Sequence, residues 1–219
     1  MAKKKVLVQA GHVAPREPGF ESGTGTTREQ EFTHKVATQL VKMLDDDARF
    51  DGIYCPGDIP NGIKVDAFVS EHGDGSASRT ASGFCFGYPD YAVNRKLAGF
   101  ISEEYIKLPG HPPKKTDNYT RNLSGYYGFG RVNTTGPEVL VESGFLTNPT
   151  EQAWLFANTH ELASAQYRAL LRYFGFPMPT DDDDVWKKGQ PIWQNLPGPR
   201  PKPDWFWSAI EELERRQNL

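Results

Sequence analysis

The sequence predicts an α/β fold: a three-layer sandwich in which a mostly parallel, mixed and twisted sheet is flanked by helices. Three observations predict it. Short apolar runs at residues 5–9, 50–55, 65–70 and 138–142 have the length of buried strands. Between and after them lie stretches whose apolar residues recur at helical spacing. Turn and stop signals rich in Gly and Pro punctuate the two kinds of segment, and strands alternating with helices in this way build parallel sheets.

Each element has its own signature. Lys5-Val6-Leu7-Val8-Gln9 is a buried first strand, and the loop 10–27 that follows has no apolar period. A helix comes next, with Thr26 or Thr27 as its cap, because Glu29 and Gln30 stand three residues further on. Its apolar stripe is Phe32, Val36, Leu40, Met43 and Leu44. Residues 50–55 and 65–70 are further strands, and 83–88 is an aromatic strand or loop. Val93, Leu97, Phe100 and Ile101 mark a helix over 91–107. A strand at 138–142 follows Gly136-Pro137, and closing helices are expected near 149–157 and 159–174, the second stopping at Gly175-Phe176-Pro177.

The 219 residues suit one domain of ordinary size with an appendage. Four aspartates at 181–184 begin a shift in composition. The main domain is therefore placed at 1–180, and 181–219 is an Asp-, Pro- and Trp-rich extension ending in a short helix capped by Asp204. Trp186, Trp193, Trp205 and Trp207 lie in that extension. Packing of these rings back onto the domain is favoured over stacking on sugars.

A net charge of -3 does not by its total indicate a basic face for nucleic acid, and a local patch stays open. No apolar run is long enough to span a bilayer, so no stable membrane insertion is expected. Three lysines precede Val6-Leu7-Val8, but Gln9 ends that run, which is too short for a signal peptide. Synthesis in the cytoplasm without an export signal is expected. Cys55 and Cys85 form no CxxC pair and are expected to be reduced thiols.

Three strands each run into a residue capable of chemistry: the first into His12, the third into His72 and the last into Glu142. Ligands of open α/β sheets bind beyond the carboxyl ends of the strands, so parallel strands would bring these three together. Glu29 shares a helix face with Phe32 and Val36, where a carboxylate is costly unless it is paired or bound to a metal. It is either a ligand or a capping-box residue reaching back to Thr26, and the ligand reading is favoured. Two imidazoles and a carboxylate are a catalytic zinc set that leaves a fourth position open, and a further carboxylate, here Glu142, suits proton transfer. Asp74 either supports this set or fills a turn between Gly73 and Gly75, the turn being favoured. His34, on the other side of the helix, is expected to face solvent. His111, His160 and Arg121 are expected at the surface, and Glu71 on the opposite face of its strand from His72.

At these residues the chain resembles a known family, the amidase-3 type zinc N-acetylmuramoyl-L-alanine amidases of bacterial autolysins and phage endolysins. Gly11-His12 matches the family's strand-end Gly-His. Glu29 stands eight residues before Ala37 and eleven before Leu40, as in the family. Asp66-Ala67-Phe68-Val69-Ser70-Glu71-His72 matches its Asp-x-x-apolar-Ser-x-His strand. The most specific match runs from Pro137 through Glu142-Ser143-Gly144-Phe145 to Asn148. The resemblance covers residues 5–175 in order. It implies one zinc ion per chain held by His12, Glu29 and His72, with Glu142 as catalytic acid and base, and peptidoglycan as substrate. The chain departs from the family at Val13-Ala14-Pro15-Arg16 and at His72-Gly73-Asp74, where the walls of the groove change and the ligands do not. Glu17 and Glu21 are weaker rivals of Glu29. A wall enzyme made without an export signal implies a phage endolysin released through a holin. The alternatives are a zinc peptidase acting on stem peptides, disfavoured because Glu29 follows His12 by seventeen residues, and a non-catalytic peptidoglycan-binding homologue.

Overall fold

A five-stranded sheet, with strand order β2-β1-β4-β7-β5, organises the computed structural model of the chain, which describes residues 2–13 and 28–179. In chain order the elements are β1 (Lys4–Ala10), α1 (Glu29–Asp46), β2 (Phe50–Pro56), β3 (Ile63–Lys64), β4 (Ala67–Asp74), β5 (Cys85–Gly87), α2 (Ala92–Tyr105), α3 (Arg121–Ser124), a single 3-10 turn (Tyr127–Gly130), β6 (Val132–Asn133), β7 (Glu138–Phe145), α4 (Pro149–Ala157) and α5 (Thr159–Phe174). β2, β1, β4 and β7 are parallel, while β5 pairs antiparallel with β7. The sheet is thus mixed and mostly parallel, as the sequence predicts. The cap expected at Thr26 or Thr27 falls instead at Arg28, whose side chain makes no cap bond, because the helix begins at Glu29. Thr26, Thr27, the rivals Glu17 and Glu21, and the extension 181–219 lie outside the described residues.

Alternation along each strand sorts the two faces. One face carries α1, α2 and α5. There Gly52 lets α1 approach closely, since a Cβ at this position would lie 3.0 Å from the Val41 carbonyl oxygen. Phe32, Val36, Leu40 and Leu44 of α1 are fully buried, so the predicted stripe is the packed one. Tyr105 of α2 meets Ser143 of β7 on this side, hydroxyl to hydroxyl at 2.6 Å. The other face is covered more thinly. Leu7, Ile59 and Phe68 pack under Tyr126 and Phe129, and Cys85 and Leu140 under Leu123.

Two sequence expectations needed adjustment. The strand expected at 65–70 starts at Ala67 and runs on to Asp74, because its polar end, Glu71-His72, is paired between β1 and β7 and remains extended. The small β3–β6 pair, α3 and the 3-10 turn were not anticipated. They are too short to carry a period. The closing helices fall where expected. Asn148 caps α4 by accepting from the Thr150 and Glu151 amides, and α5 stops at Gly175, in the left-handed region at φ 70°. Among the described residues, no helix is long and apolar enough to cross a membrane. Cys55 and Cys85 are both buried and unbridged.

Candidate metal centre

The carboxyl ends of β1, β4 and β7 bring the predicted residues to one edge of the sheet. Gly11 follows β1, and its amide donates to the Glu71 carbonyl at 2.9 Å. A Cβ on Gly11 would stand 2.4 Å from Cε1 of His72 and 2.6 Å from the Glu71 carbonyl oxygen. Only glycine leaves room here for the His72 ring. The chain then turns through His12 at φ 61°, an uncommon conformation for a residue with a side chain. The turn sets the two imidazoles edge to face, with centroids 4.9 Å apart.

Glu29 reaches them from the first turn of α1. It is 4% exposed, and its Oε1 lies 3.6 Å from His12 Nε2 and 3.4 Å from His72 Nδ1. The Gly73 amide donates to the same oxygen at 3.1 Å, fixing its aim. Thr33 ties the helix to the strand end by donating to the Gly11 carbonyl at 2.8 Å. One ligand atom from each of His12, Glu29 and His72 falls within 4.8 Å of the others. Burial holds the His12 pKa below the ordinary imidazole value, partly offset by Glu29, so the neutral form that binds metals is favoured. Nε2 of His72 is buried without a hydrogen-bond partner. Two imidazoles and one carboxylate, with His72 and Glu29 buried, His12 partly exposed and a His72 ring nitrogen without a hydrogen-bond partner, fit a divalent metal such as zinc.

Glu142 stands beside the trio. It is the register partner of His72 across the β4–β7 pair, so both side chains project on the same face. Its Oε2 is buried and accepts no hydrogen bond. Desolvation first, then the charges of Asp74 and Glu29, push its carboxyl well above the ordinary range, while Lys115 acts in the opposite sense.

Residues 6–172 match the amidase-3 family, described as N-acetylmuramoyl-L-alanine amidase. The chain belongs to that family. A germination-specific N-acetylmuramoyl-L-alanine amidase of Bacillus subtilis (strain 168) is 32% identical over 118 residues, covering 52% of this chain and 47% of the relative. A probable cell wall amidase, LytH, of Staphylococcus epidermidis is 24% identical over 182 residues, covering 78% of this chain and 58% of that protein. The chain therefore spans about half the length of the curated relatives it matches. Among solved structures, the catalytic domain of the CwlV amidase from Bacillus (Paenibacillus) polymyxa var. colistinus superposes with a TM-score of 0.62 at 19% identity, over 80% of this chain and 99% of that one. At that identity the likeness speaks for the fold.

Within this amidase fold, other predicted residues fall in several places. Asp74 ends β4, accepts from the Gly75 amide at 2.8 Å and from the Tyr119 hydroxyl at 2.5 Å, and so combines a turn contact with one to a distant segment. Arg121 and His160 are exposed, and His111 is half-buried against the Phe84 ring. His34 differs from expectation. It is half-buried, and its Nδ1 meets the Tyr54 hydroxyl at 2.6 Å, because β2 runs alongside α1 and offers a partner the helix period does not show. Glu71 points away from the trio, as predicted, but into the core beneath the helices, where burial pushes its carboxyl up to about 8.

The sequence reading missed the network under His72. Ser70 and Tyr126 hydroxyls both donate to Gln9 Oε1, at 2.6 and 2.8 Å, and the Gln9 amide donates to Tyr127 at 3.1 Å and to the Gly57 carbonyl. The Tyr126 ring then abuts His72 edge to face, 5.4 Å between centroids. Gln9 carried the available signal, a polar residue inside an apolar strand. Glu151 was missed as well. Buried in α4, it accepts from the Phe145 amide at 2.7 Å and the Gly83 amide at 2.8 Å, locking the end of β7 to the segment before β5.

Proposed function

We propose that the chain is a zinc-dependent N-acetylmuramoyl-L-alanine amidase that lyses cell wall by hydrolysing the amide between N-acetylmuramic acid and L-alanine of peptidoglycan. The observation carrying this reading is the convergence of His12, Glu29 and His72 within 4.8 Å, with Glu142 in register beside His72. His12, Glu29 and His72 hold one zinc ion. Bound zinc supplies Lewis acidity, both for the scissile carbonyl and for the attacking water. Glu142 takes the proton of that water and delivers it to the departing L-alanine nitrogen. A raised carboxyl pKa suits the second half of that task, since it lets the group hold the proton until the leaving nitrogen takes it. Gly73 and Thr33 keep Glu29 in place, and the Gln9–Tyr126 network keeps the His72 ring from turning.

Residues 1–180 form the catalytic domain in this reading, and 181–219 an extension. The setting proposed is a phage endolysin, made in the host cytoplasm and reaching the wall through a holin. A chelation experiment tests the zinc dependence. Removal of metal should abolish release of new amino groups from purified peptidoglycan, and one equivalent of zinc should restore it. Full activity in a preparation shown to be free of metal would refute the reading.

A further inference from the structure

Beyond β7 on the side away from the ligands the sheet has one more strand, β5, and beside β5 runs the segment that carries Lys115. The backbone fixes that segment closely. Phe84 pairs with Lys114, and the Lys115 amide donates to the Phe84 carbonyl at 2.8 Å. The aliphatic stem of Lys115 lies over Gly83, where a Cβ would stand 2.6 Å from its Cγ. Its ammonium is 4.1 Å from the Tyr119 ring centroid and 4.3 Å from that of Phe145. The side chain is thereby held in one place between two aromatic faces.

This ammonium makes no ion pair among the described residues. Asp74, whose carboxyl feels this charge, has both oxygens engaged elsewhere, Oδ1 by the Gly75 amide and Oδ2 by the Tyr119 hydroxyl. Lys115 nevertheless lies close enough to Glu142 to act on its charge. A pre-positioned cation with hydrogen-bond donors to spare, near the proposed proton-transfer group, is a receptor for an anionic group of the substrate.

The polarity of the reaction identifies the group. This step rests on the amidase reading above. Glu142, on β7, protonates the leaving nitrogen, and the ligands sit on β1, β4 and α1. The glycan side of the scissile bond then lies over β1 and β4, and the peptide continues past Glu142 over β5 towards Lys115. In peptidoglycan stems the residue after L-alanine is a glutamate joined through its γ-carboxyl. Its α-carboxyl, one residue from the cut, is either free or amidated. We propose that Lys115, held by Tyr119 and Phe145, binds the free α-carboxylate of this second stem residue and makes the enzyme selective for unamidated stems.

The test compares two synthetic muramyl peptides that differ only in this group, carboxylate or carboxamide, as substrates for the wild-type chain, Lys115→Met and Lys115→Arg. Methionine keeps the packed stem and removes the charge. The wild type should cleave the acid with kcat/KM about ten-fold above the amide, Lys115→Met should lose that margin through the acid alone, and Lys115→Arg should keep most of it. Equal rates on both substrates in the wild type, or a margin that survives in Lys115→Met, would overturn the assignment. The same pair titrated against zinc-loaded Glu142→Gln reads the contact without turnover. There the acid should bind about ten-fold more tightly, and equal affinities would also overturn it. Cleavage elsewhere than at the lactyl–alanine bond overturns the amidase reading, whereas cleavage at that bond without acid preference overturns only the role of Lys115.

Discussion

His72 and Glu142 are register partners across the parallel β4–β7 pair, so the proposed metal ligand and the proposed proton-transfer group are presented side by side by backbone pairing alone. The other two proposed ligands, His12 and Glu29, stand in the turn after β1 and at the first residue of α1.

That division of labour predicts two distinct losses. Glu142→Gln should retain zinc at one equivalent while activity falls about 10²–10⁴-fold. His72→Ala should lose the metal itself, since only two ligands remain. Metal analysis of both purified variants checks this. Zinc missing from Glu142→Gln, or fully retained by His72→Ala, would reverse the roles.

Gly11→Ala should damage the centre without touching a ligand. The added methyl meets His72 Cε1 at 2.4 Å and the Glu71 carbonyl oxygen at 2.6 Å, and the second of these is backbone and cannot swing aside. A stability loss of about 1–3 kcal/mol is expected, together with weaker zinc binding. Denaturant unfolding and zinc titration measure the two effects. An unchanged zinc affinity would show that the His72 ring tolerates displacement.

Glu71→Leu should stabilise the fold. Glu71 is completely buried beneath the helices, and neither of its oxygens is hydrogen-bonded. Replacing an unsatisfied buried carboxyl with an apolar side chain of similar size removes a cost of about 1–3 kcal/mol. Chemical denaturation gives the comparison, and a destabilised variant would mean that the Gln166 amide beside it satisfies the acid better than its geometry indicates.

Glu138 adds a pH dependence. Burial raises its carboxyl to about 7, and its Oε1 has no partner. Between the ordinary value of 4.5 and about 7 the folded chain binds more protons than the unfolded one, so this group's contribution falls as pH rises through that window. Because the side chain is only partly buried, the expected loss is discounted to about 1 kcal/mol. Melting curves of wild type and Glu138→Gln at pH 5 and pH 8 should diverge by that amount, the variant being the less sensitive. Parallel curves would refute it.

The candidate site was legible because each of its members sits where a local pattern ends. His12 and His72 end apolar runs, Glu142 ends another, and Glu29 interrupts a helix stripe. Periodicity finds such residues without three-dimensional information. The partners of those residues were not legible, since they come from segments without a period. Tyr126 reaches His72 from the residue before a 3-10 turn, and Lys115 comes near Glu142 from an irregular loop held by Phe84. His34 was misplaced for the same reason, as its partner Tyr54 belongs to a different element. The extent of β4 was underestimated because strand patterns are read from apolar residues, while its last turn of pairing involves Glu71, His72 and Asp74.

The bond that is cut separates an amidase from a peptidase. Mass spectrometry of a purified muropeptide after incubation with the zinc-loaded chain tests it most directly. The expected products are the free glycan and an intact peptide with a new L-alanine amino terminus. A shortened peptide still attached to its sugar would instead make the chain a peptidase and contradict the amidase assignment.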